Sequence, residues 1–246
     1  MYLTLYGETM SNPQILSPNK HKKLKVITDY GSHVGDNLQF VSTFPLEFRN
    51  IQSSYPIFFT KNPETGEFYP IALFGFETGE NLFLNDSGWD ASYIPMMIKR
   101  QPFMIGYQEQ AEDQKKPVVT VDLESPKISQ TQGENLFDDN ENPSEFLQKI
   151  MSQLEALHKG FEHNNGFIDT LTKLDLIEPF SLEITLKNGS LNQLNGFYTI
   201  NEDKLYEFDG KVLADLNLKG YLLPIYMTIA SYSRIKPLID KKNNLL

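Results

Sequence analysis

The residues best equipped for chemistry in this chain are Glu80, Asn81, Trp89, Tyr93 and Arg100. An arginine can grip a carboxylate through two parallel N–H bonds, and tryptophan and tyrosine offer flat apolar walls with polar tips. Gathered at one rim, these five would suit a peptide or an amino-acid-like ligand. Trp89, Tyr93 and Arg100 fall within twelve residues, and Trp89 is the sole tryptophan. Pro95 supplies a turn that could bring the three together. The same residues also have a structural reading. Trp89 would then anchor the core, and Arg100 would pair with Glu80 or Asp90 to brace a loop. Such a buried pair is costly to break yet says little about function.

Other chemistry has weaker support. The four histidines are His21, His33, His158 and His163. Glu155 and His158 form a Glu-x-x-His pair on one helical face, but a di-iron carboxylate bundle needs two such pairs and two further glutamates. His158 and His163 are five apart, whereas positions i and i+4 share a face. The chain has no cysteine, which excludes disulfides, thiolate nucleophiles and cysteine zinc sites. Dinucleotide-binding, P-loop and nucleophile-elbow glycine patterns are also missing. No catalytic residue, metal ligand or cofactor is therefore expected. The leading reading is a non-enzymatic binding or accessory protein for a peptide or a partner protein. The alternative is an enzyme of unrecognised type.

Composition narrows the partners. At 246 residues the chain can bury a substantial core. Its net charge of −10 disfavours a nucleic-acid partner, which calls for a basic face. The one basic cluster, Lys20-His21-Lys22-Lys23-Leu24-Lys25, reads as a solvated segment. The longest apolar windows, such as Gly220 to Ile235, are interrupted by polar groups and too short to span a bilayer. The first ten residues lack the layout of a signal peptide, so a cytoplasmic location is expected, with Met10 as the natural start.

These residues need elements to position them. Leu24 to Ile27 and Leu38 to Val41 read as short strands. Tyr55 to Thr60 and Phe68 to Phe76 read as a hairpin across the turn Asn62-Pro63-Glu64-Thr65-Gly66. Asn81 to Leu84, Pro102 to Tyr107 and Val118 to Val121 would extend it into an antiparallel meander. The polar stretches Gln108 to Lys116 and Glu134 to Glu145 read as surface loops. Asn142-Pro143-Ser144 opens a helix whose apolar face carries Phe146, Leu147, Ile150, Leu154, Leu157 and Phe161. A second short helix is expected around Gly166 to Leu174. Phe180 to Lys187 alternates with period two and meets Asn188-Gly189, a two-residue hairpin signal of type I′. Short helices over Asp203 to Phe208 and Lys211 to Leu218 then lead to a final helix, Tyr221 to Ile235, with Pro224 in its first turn. Gly-Glu-Asn-Leu-Phe occurs at 79–83 and again at 133–137, and reads as one turn chemistry used twice, or coincidence, rather than as a duplication. The fold class is α+β: an antiparallel β core with a helical insertion and two C-terminal helices. Residues 1–20 are expected as a flexible N-terminal segment and residues 21–240 as one domain.

Several stretches resemble the SapC family of bacterial proteins. They are Tyr55-Pro-Ile-Phe-Phe-Thr-Lys, Phe68-Tyr-Pro-Ile-Ala-Leu-Phe-Gly-Phe, Gly79-Glu-Asn-Leu-Phe, Trp89-Asp-Ala-Ser-Tyr-Ile-Pro and Lys99-Arg-Gln-Pro-Phe, with Leu205 to Gly220 and the Gly220-Tyr-Leu opening of the last helix. The resemblance runs from about His21 onward. It implies association with a bacterial surface layer or a nutrient-handling system. A permease label sometimes attached to the family conflicts with the lack of any spanning segment. Family genes often neighbour flavin-dependent halogenase-like proteins and TonB-dependent receptors. The resemblance therefore implies an accessory role, or, in the alternative, an enzyme working with redox partners. It supplies no catalytic residues to carry over.

Overall fold

The computed structural model describes residues 11–109 and 115–246. In chain order the first elements are β1 (Pro13–Ile15), α1 (Pro18–His21), β2 (Lys25–Val26), β3 (Phe40–Ser42) and α2 (Phe48–Ile51). Next come β4 (Ile57–Lys61), β5 (Phe68–Leu73), the short pair β6 (Leu84–Asn85) and β7 (Gly88–Trp89), and α3 (Met96–Lys99). Strands β8 (Phe103–Glu109), β9 (Lys115–Asp122), β10 (Ile128–Ser129) and β11 (Glu134–Asn135) precede the long helix α4 (Glu145–Lys173). The chain ends with β12 (Ile177–Thr185), β13 (Leu191–Ile200), α5 (Glu202–Tyr206), α6 (Gly210–Leu218), α7 (Leu222–Ser231) and α8 (Ile235–Asn243). The fold is α+β with antiparallel sheets.

The core is a five-stranded sheet in the order β12-β13-β4-β5-β3. Its middle strands are apolar on both faces: Ile57, Phe58, Phe59, Ile71, Ala72 and Leu73 are fully buried. The β4–β5 turn forms where expected, with Gly66 at φ 72°, a conformation that an unbranched backbone adopts without strain. The expected meander, however, does not continue from β5. The chain leaves the sheet after Leu73 and runs through β6, β7 and α3. Strands β8 and β9 then pair with β1 in a separate three-stranded sheet. Of the stretch 108–116, residues 110–114 lie outside the described residues, and the flanking positions belong to the β8–β9 ladder. The expected flexible segment falls partly outside as well, at residues 1–10, which include the proposed start Met10; residues 13–15 form β1 against β9.

The helical insertion is one helix of 29 residues where two were expected. Ser144 caps it by accepting the Leu147 N–H at 3.1 Å. Glu162-His163-Asn164-Asn165-Gly166 is a poor helix former, but tertiary packing overrides that local preference. Asn164 and Phe167 are buried. Gly160 and Gly166 leave room for Phe44 and Tyr221; a Cβ at either position would come within 2.6 Å of those side chains.

The β12–β13 hairpin also differs from expectation. Only Gly189 of its turn has positive φ, at 84°. The Gly189 N–H bonds the Leu186 carbonyl, and the Leu186 N–H bonds the Ser190 carbonyl. The loop is thus Lys187-Asn188-Gly189, a three-residue form with glycine in the left-handed position, not a two-residue type I′ turn. The expected final helix, Tyr221 to Ile235, is α7 followed by a short 3-10 turn, and α8 carries the chain on beyond it. Tyr232, in that turn, meets Thr199 through its hydroxyl and stacks on Phe58 at 5.7 Å, which fixes the bend against the sheet. Among the described residues no helix is long and apolar enough to cross a membrane.

Candidate functional site

A buried polar seam runs along the expected site. Glu47, at the start of α2, is 2% exposed. Its carboxylate accepts hydrogen bonds from Thr43 Oγ1 at 2.8 Å, the Tyr93 hydroxyl at 2.8 Å and the Met96 N–H at 2.7 Å. Burial pushes its pKa upward, against the pull of those donors. The Tyr93 backbone carbonyl accepts from the Tyr55 hydroxyl. That hydroxyl in turn accepts the Trp89 Nε1–H at 2.7 Å. Burial raises the pKa of both tyrosines, so their hydroxyls stay protonated donors.

The aromatic part of the seam continues to a second buried acid. Trp89 meets Tyr30 edge-on at 5.9 Å and Phe74 at 5.2 Å. The ammonium of Lys127 lies 5.1 Å from the Tyr30 ring. It also donates to the Asp29 carbonyl and to Asp36 Oδ2, both at 3.1 Å. Asp36 and Lys127 are almost wholly buried. Burial raises the Asp36 pKa, opposed by Lys127 and the Gly31 N–H.

The five expected site residues separate into groups. Trp89 and Tyr93 are brought together through Tyr55, each half-buried with its polar tip fixed inward. Lys99 lies over the Tyr93 ring at 4.6 Å. Asn81 holds the loop before β6: its side chain donates to the Asp36 carbonyl at 2.8 Å and accepts from Phe83 N–H at 3.0 Å. Glu80 accepts the Phe76 N–H at 2.8 Å and is paired with Lys242 of α8. Arg100 is 3% exposed. It donates from Nη1 to the Phe103 carbonyl at 2.7 Å and from Nε toward Met97 Sδ at 3.4 Å. It lines a cleft of about 210 Å³ with Gln101, Asp122 and Ser125; neither Trp89 nor Tyr93 is among the lining residues. The two acids expected as partners of Arg100 are held by lysines of α8: Glu80 by Lys242, and Asp90 by Lys241 at 2.5 Å.

Sequence reasoning missed Glu47, Tyr55, Asp36 and Lys127. Thr43 and Glu47 at i and i+4 gave a local hint, but the contacts that tie Tyr55, Glu47 and Asp36 to Trp89, Tyr93 and Lys127 span 34 to 91 positions of the chain. Among the described residues no group of three or more histidines and acids is placed to hold a metal ion.

The SapC family model matches residues 16–238. No curated protein matches the chain, and no solved structure matches it.

Proposed function

The chain belongs to the SapC family, and from that premise we propose that it is a non-enzymatic binding or accessory protein. Its ligand is a peptide, an amino-acid-like molecule or an extended segment of a partner protein. It acts in the cytoplasm, within a bacterial surface-layer or nutrient-handling system.

One observation carries this reading: Trp89 and Tyr93 are partly exposed, and both are anchored by their polar tips. Their polar tips are bound to Tyr55 and Glu47, so the outward faces are already ordered. A rigid aromatic surface loses little side-chain entropy on binding, and that lost entropy is a main cost of association. Lys99 over the Tyr93 ring and the Asp90–Lys241 pair beside Trp89 supply a polar rim. In this reading Glu80 and Asn81 position the loop that carries the rim. Arg100 braces the α3 turn through the Phe103 carbonyl and lines a separate cleft.

The test is capture from a pooled decapeptide library on immobilised protein, with mass spectrometry of the retained peptides. The parent should retain a set with shared sequence features that Trp89→Leu fails to retain. Retention of the same peptides by both proteins, or of none by the parent, would overturn the proposal.

A further inference from the structure

A second groove lies between the tip of the β4–β5 hairpin and the C-terminal third of α4. Its volume is about 570 Å³, within the range of small-molecule sites. Phe68 and Ile168 form an apolar floor, and Lys61, Glu67, Asp169 and Lys173 stand around it. It shares no lining residue with the Arg100 cleft.

The charges around this groove are not closed into ion pairs with one another. Some acid–lysine pairs four residues apart are closed, Glu155–Lys159 at 2.8 Å, Asp215–Lys219 at 2.7 Å and Lys236–Asp240 at 3.3 Å, whereas Glu145 and Lys149 on α4 and Lys211 and Asp215 on α6 are not. Asp169 and Lys173 have the same spacing on α4, yet among the described residues neither makes an ion pair. Lys61 is oriented by aromatic rings and not by an acid. Its ammonium lies 4.8 Å from the Phe68 centroid and 5.1 Å from the Tyr198 centroid. Both signs of charge therefore flank an apolar floor without cancelling each other.

We infer that this groove is a binding site for a small zwitterion of the amino-acid class with an apolar side chain, either a free amino acid or a dipeptide. Lys61 and Lys173 face its carboxylate, Asp169 and Glu67 face its ammonium, and the side chain covers Phe68 and Ile168. Charge complementarity selects the zwitterion, since an ion of one sign would leave the opposite pair of side chains unmatched. The site does not depend on the Trp89–Tyr93 rim.

Calorimetric titration of the full chain tests this, with leucine and leucyl-leucine as probes and N-acetylleucine and leucinamide as their singly charged controls. At least one zwitterion should bind, and each control should bind roughly tenfold more weakly or worse. Asp169→Asn and Lys173→Gln change exposed side chains, so both should keep the parental melting temperature while weakening the zwitterion by a similar factor. Trp89→Leu should leave it unchanged, which separates this site from the rim. The inference is overturned if neither zwitterion binds, if the controls bind equally well, or if the two groove variants retain parental affinity.

Discussion

Glu47 is a carboxyl group held in a dry cradle of three donors. Its folded-state pKa lies above the ordinary 4.5 because burial disfavours the charge. Over the interval between those two values the folded protein keeps a proton that the unfolded chain has lost, so stability falls as pH rises through it. Glu47→Gln retains a carbonyl for Tyr93 and Met96 and an amide toward Thr43, but does not titrate. The stability of Glu47→Gln relative to the parent, from urea denaturation, should therefore climb above pH 4.5 and then level off. A difference that is flat with pH would contradict this account of the cradle. Arg100 makes a different residue-scale case. Removing its side chain leaves the buried Phe103 carbonyl without a charged donor, so Arg100→Ala should lose about 2–3 kcal/mol. A loss well below that in denaturant titrations would show that Arg100 is not a strut and would return it to the ligand surface. Its role was only half legible beforehand. Its membership of a tight local run was visible, but the carbonyl and sulfur it meets are set by the α3 turn, which no spacing rule reveals.

At the level of elements, turns were more legible than their exact form. Asn188-Gly189 marked the β12–β13 hairpin correctly. Leu186 and Ser190 pair across it, and that adds a third loop residue and leaves only glycine at positive φ. Space around Gly189 is open, so the cost of a side chain there comes from backbone conformation alone. Gly189→Val should lower stability by roughly 1–2 kcal/mol; an unchanged melting temperature would count against the left-handed assignment. The repeated Gly-Glu-Asn-Leu-Phe has a related explanation. Gly79 and Gly133 both take positive φ, and Leu82, Phe83, Leu136 and Phe137 are all buried beyond them. The same local chemistry turns the chain and returns it to the core twice. Helix α4 was harder to read because its continuity through Asn164 and Gly166 depends on Tyr221, more than fifty residues later.

At the scale of the whole molecule, the C-terminal helix ties the site's loops to the sheet. Lys242 joins Glu77 and Glu80, Lys241 joins Asp90, and Asn243 accepts the Lys187 N–H at 2.8 Å. The lysine contacts span 151 to 165 positions of the chain, which is why composition and periodicity disclosed the class of fold but not how the site is held. The central claim is that this scaffold presents Trp89 as part of a preordered binding face. Trp89 is the sole tryptophan, so its fluorescence reports on that face without labelling. The most direct measurement is emission and acrylamide quenching of Trp89 during titration with a peptide retained from the decapeptide library. The account predicts a saturable blue shift and reduced quenching as the partly exposed indole is covered. Saturable peptide binding that leaves both signals unchanged would contradict it.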